Sequence, residues 1–158
     1  MSCWIGAKQL LKSRSRAPLT EVEFHTGVAD TLGFACRLLR KAHRRGARVL
    51  VTAPADTLAA LDRELWIFDA RDFVPHVRVP GAAAALARRT PIWLALEALE
   101  AGTAGAPAVL VNLGAAAPAD LGPLERLIEV VGADPDQAEQ GRQRWRDYKA
   151  SAAAPATV

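Results

Sequence analysis

Residues 48–65, RVLVTAPADTLAALDREL, decide the fold. Arg48–Thr52 is a continuous β-rich apolar run, as expected of a strand whose two faces are both covered. Pro54 and Asp56 then open a helix, and Leu58, Leu61 and Leu65 mark its inner stripe at i, i+3 and i+7. A buried strand followed at once by an amphipathic helix implies parallel strands joined by right-handed crossovers. The expected fold is single-domain α/β: doubly wound, mostly parallel and Rossmann-like.

The flanking sequence repeats that unit. Upstream, Val22-Glu23-Phe24-His25 alternates apolar and polar and predicts a first strand. Thr31–Arg45 predicts a helix with Leu32, Ala35, Cys36, Leu39 and Ala42 inward, stopped by Gly46. Downstream, Phe73–His76 is extended because Pro75 disfavours helix at Val74. Gly81–Arg89 is Ala-rich and fits a short helix. Thr90–Leu96 and Ala108–Asn112 read as strands, separated by a loop at Gly102–Pro107. Gly114–Gly122 is a linker, and Pro123–Val131 a turn followed by a strand. The last helix runs from about Pro135 to Lys149, with Asp134 as N-cap and Pro135 at N1.

The domain therefore spans residues 20–150, followed by a flexible, frayed tail at 151–158. Residues 1–19 read differently: they carry Lys8, Lys12, Arg14 and Arg16, no acid, and end near Pro18. They are expected to be a disordered extension or a start placed too far upstream. Removing those four charges from the formal +3 leaves the remainder at −1. The body is thus not a polycation, and any basic site in it must be local. No apolar run approaches the roughly 18–20 residues that span a bilayer. Cys3 and Cys36 form neither a disulfide framework nor a metal motif. The simplest compartment is the cytoplasm.

Tests for catalytic chemistry find little. After the first strand the sequence is HTGVADTLG, without G-x-G-x-x-G, and no G-x-x-x-x-G-K-[ST] occurs. His25, His43 and His76 lie in different elements without metal-ligand spacing. His76 has no serine or cysteine close in sequence, so a structural, hydrogen-bonded role is expected. Asp62 and Glu64 read as solvated helix charges. No cofactor is expected.

The last helix carries a stronger signal. Arg142, Trp145 and Lys149 stand at i, i+3 and i+7, with Arg146 one turn from Arg142 and Arg144 beside them. A tryptophan among guanidinium groups suits a small anionic ligand with an apolar part, such as a peptide carboxylate. The plainer alternative is a core tryptophan with solvated arginines.

The stretches RRGARVLVTAP, LDRELWIFDARDFVPH, TPIWLAL, AVLVNL and RQRWRDYK follow one another in an order and spacing that resembles the chi subunit of bacterial DNA polymerase III. The resemblance covers about residues 20–150. It implies a non-catalytic accessory subunit of the clamp loader. The implied partners are the psi subunit, the acidic C-terminal tail of the single-stranded-DNA-binding protein and a helicase-like repair protein. DNA is then met only indirectly, and no membrane is involved. The family's psi-facing surface falls on Trp66, Phe73 and Pro75. Its tail pocket falls on Arg142 and Trp145, with Val131 the nearest match to a lining valine. A lysine that some relatives carry one turn before the arginine is missing, Ala138 and Glu139 standing there, so charge moves to Arg146 or Lys149. The rival readings are a nucleotide-dependent α/β enzyme and a direct nucleic-acid-binding module.

Overall fold

The computed structural model describes residues 20–151 and 155–158. The N-terminal extension at 1–19 lies outside the described residues. The strands are β1 (Glu21–Val28), β2 (Val49–Thr52), β3 (His76–Arg78), β4 (Ile92–Ala95), β5 (Val109–Asn112), β6 (Arg126–Gly132) and β7 (Ala156–Thr157). They form one sheet in the order β3-β4-β2-β5-β6-β1-β7, and every pairing is parallel. The helices are α1 (Thr31–Arg44), α2 (Ala55–Ile67), α3 (Ala84–Arg89) and α4 (Pro135–Ala150).

The alternation of side chains along each strand divides the core in two. Val49, Val51, Ile92, Leu94, Ile128 and Val130 face one way, against Leu39 of α1 and Leu58, Leu61 and Leu65 of α2. Leu50, Trp93, Leu110, Leu127 and Val131 face the other way, with Ala87 of α3 and Tyr148 of α4. Both faces are therefore covered, which is why the central strands read as unbroken apolar runs. The connections after β4 and β5 contain no helix. Leu99, Ala106, Ala117, Leu121 and Leu124 from these loops pack on the α3–α4 face instead. The doubly wound α/β expectation holds.

The helix ends follow local chemistry. The Asp30 side chain accepts from Gly33 N–H at 2.9 Å and caps α1. Asp134 accepts from the N–H groups of Asp136 and Gln137 at 2.9 and 3.3 Å, with Pro135 in the first turn of α4. The Phe73–His76 segment leads into β3, whose ladder to β4 starts at His76. One expectation needs correction. Residues 156–157, expected to fray, instead pair with Glu23 and Phe24 of β1, whose outer edge would otherwise lack partners there.

Candidate functional site

A cleft of about 430 Å³ opens where the ends of β1 and β6 meet α4. Phe24, Thr26 and Gly27 line it from β1, Val131 and Gly132 from β6, and Ala138, Gly141, Arg142 and Trp145 from α4. Three of the expected tail-pocket residues, Arg142, Trp145 and Val131, are thus brought together. Arg146 and Lys149 are exposed and do not belong to the lining. The physical reason is helical phase. The inward face of α4 is Gly141, Arg144 and Tyr148, at i, i+3 and i+7. This leaves Trp145 and Arg142 on the flank that meets the cleft, with Arg146 turned further out.

Two features set α4 at this height over the sheet. A Cβ built on Gly141 would lie 2.8 Å from Val131 Cγ1, so only glycine lets the helix approach β6 there. One turn on, the fully buried Glu129 of β6 receives Arg144 Nε at 3.0 Å, the Tyr148 hydroxyl and, at 2.9 Å, Asn112 Nδ2. Burial pushes the Glu129 carboxyl up, against the pull of Arg144, Tyr148 and Asn112. Burial and then the Glu129 charge push the Tyr148 phenol up as well. Helical spacing alone sets Arg144 among the guanidinium groups around Trp145 and does not reveal this network. The available signal was Glu129 at an inward position of the apolar run Leu127–Val131.

Trp145 packs edge-on against Phe24, with ring centroids 5.0 Å apart, and is only half buried. Its other side is left to the cleft. Arg142 is exposed, and its guanidinium holds the Glu139 carboxyl below the usual range, first by hydrogen bonding and then by charge. Arg146 also reaches Glu139, at 3.3 Å, and Gln143 at 2.9 Å. The site thus offers one guanidinium beside one indole face over an apolar floor. That combination suits an anion carried on an apolar group.

The second expected surface lies at the opposite end of the strand order. Trp66, 63% exposed, stacks on Phe73, 49% exposed, with centroids 4.9 Å apart and planes 29° apart. Ile67 beside them is also exposed, and Pro75 is half buried. Large exposed apolar groups in contact are a partner-binding signature. His76 supports them from below. Its Nδ1 donates to the Val74 carbonyl at 2.8 Å, and its Nε2 lies 2.9 Å from Asp62 Oδ1. The ring meets Trp66 edge-on at 5.2 Å. The expected structural role of His76 holds. Asp62, expected to be a solvated charge, is instead held by both His76 and Arg78.

Among the described residues, no three His, Cys, Asp or Glu side chains are grouped to hold a metal ion. No described helix is long and apolar enough to cross a membrane. The family model described as DNA polymerase III chi subunit, HolC, matches residues 19–155. A search of curated proteins returns no match.

Proposed function

The chain belongs to the DNA polymerase III chi subunit family, and on that premise we propose that it is a non-catalytic accessory subunit of the clamp loader that joins two partners. One is the psi subunit, docking on Trp66, Phe73 and Pro75. The other is the acidic C-terminal tail of single-stranded-DNA-binding protein, held by Arg142, Trp145 and Val131. The helicase-like repair protein would share the first surface, and Arg146 and Lys149 would add only long-range attraction for the tail.

The observation that carries this reading is the placement of the two sites. The Trp66–Phe73 pair adjoins β3, at one edge of the sheet, through contact with His76. The cleft adjoins β1, β6 and β7, at the other edge. Two partners could therefore bind opposite edges of one domain without overlapping. In the cleft, an anionic tail would set a carboxylate against Arg142 and an apolar side chain beside Trp145. Affinity should weaken with salt, as screened charges do.

The test is a crossed pair of variants. Arg142→Ala should remove most binding of a labelled tail peptide in fluorescence anisotropy while circular dichroism stays native. Trp66→Ala should abolish co-purification with psi and leave the peptide titration unchanged. Full peptide affinity in Arg142→Ala would remove the tail assignment. Psi capture by Trp66→Ala would remove the other. Binding of ATP, NAD or bare oligonucleotide by residues 20–158 would favour the rival readings.

A further inference from the structure

We propose that the cleft receives its peptide as an added strand, whose main chain pairs with the backbone of Thr26 and Gly27. This rests on the reading of the cleft as a peptide-tail site and adds how the peptide lies in it.

The inner edge of β1 is laddered to β6 from Glu21–Arg126 to His25–Val130, and again at Val28–Gly132. Between those pairs, Thr26 and Gly27 stand opposite the single residue Val131. This is a β-bulge, with Gly27 at φ 66°. A bulge takes its extra residue out of the ladder and re-aims the backbone locally. Thr26 and Gly27 are both exposed, and neither has a ladder partner on β6 or β7. On the outer edge, β7 covers only Glu23 and Phe24, and Val158 N–H donates to the Phe24 carbonyl at 2.9 Å. Cover on that edge therefore stops just short of the bulge.

All three bulge residues, Thr26, Gly27 and Val131, line the same cleft as Arg142 and Trp145. An extended peptide entering an apolar cleft needs partners for its own main-chain N–H and C=O groups. Sheet-edge addition provides them, while adjacent pockets read the side chains. The geometry commits the site to an acidic, extended peptide bearing one apolar side chain. Its charge meets Arg142 and its apolar group meets Trp145. A helical ligand, with its main chain already paired internally, would leave Thr26 and Gly27 unused.

A backbone N-methyl scan of a labelled acidic peptide ending in an apolar residue tests this, because it leaves every side chain and charge in place. Titrated against the full chain by anisotropy, one or two N-methyl positions should lose about tenfold in affinity while the others bind normally. Amide exchange at Thr26 and Gly27 should slow on adding the parent peptide. If every methylated peptide binds within about twofold of the parent and exchange at these residues is unchanged, strand addition is overturned and the cleft reading stands. If the parent peptide binds Arg142→Ala as well as it binds the native chain, the cleft reading falls and takes this inference with it.

Discussion

Arg142 places Nε and Nη2 at 2.9 and 2.6 Å from one carboxylate oxygen of Glu139, three residues earlier on α4. The guanidinium that would receive an acidic ligand is therefore already engaged by an acid of its own helix. Both side chains are 61% exposed, so the pair is weak and water-screened. A ligand carboxylate must displace Glu139 or share Arg142 with it. Glu139→Gln should raise affinity for the acidic tail peptide by about threefold, more at low salt. Anisotropy titrations of the two proteins at two salt concentrations check this. Identical curves would mean that Glu139 does not compete.

Glu23 makes stability depend on pH. Burial pushes its carboxyl up, but hydrogen bonding and charge from Arg126, together with His25, outweigh that and hold it below its ordinary value of 4.5. A carboxyl depressed by folding contributes stability above its unfolded pKa and loses that contribution as pH falls through the folded one. Glu23→Gln should therefore be less stable than the native chain at pH 7. The difference should shrink as pH drops below about 4.5. Urea midpoints taken from pH 7 down to acid measure it. A constant difference across that range would contradict the depression.

What the sequence made legible follows from what each feature depends on. Leu50 and Val111 sit in short, β-rich apolar runs that read as strands covered on both faces, so the sheet could be read locally. Trp145 and Arg142 were legible because three residues on a helix fix their angular separation. Lys149 and Arg146 shared that pattern but not the cleft, since the phase of α4 is set by Gly141 against Val131. That contact joins residues from different elements and has no local signature. Glu129 was opaque for the same reason. Its partners Asn112, Arg144 and Tyr148 come from β5 and α4 and meet only once the sheet order exists. The pairing of Ala156 and Thr157 with β1 likewise depends on where α4 ends, not on their own composition.

His76 offers a way to weaken the proposed docking face without altering any exposed residue. Its side chain is 1% exposed, bridges the Val74 carbonyl and Asp62, and lies edge-on beneath Trp66 and tilted toward Phe73. Removing the ring leaves a void under the stacked pair and frees the Asp62 carboxylate on that side. His76→Ala should cost about 2 kcal/mol of stability through the cavity and the lost hydrogen bonds. Trp66 and Phe73 would then be free to settle inward, and affinity for psi should fall about tenfold, one to two hydrogen bonds' worth of contact quality. The proposed tail cleft lies across the sheet and shares no partner with this cluster, so peptide affinity should stay within about twofold. Paired titrations with psi and with the tail peptide distinguish the outcomes. Unchanged psi binding in a folded His76→Ala protein would show that the aromatic pair holds its position without the imidazole. Loss of both affinities together would point to general loosening of the domain.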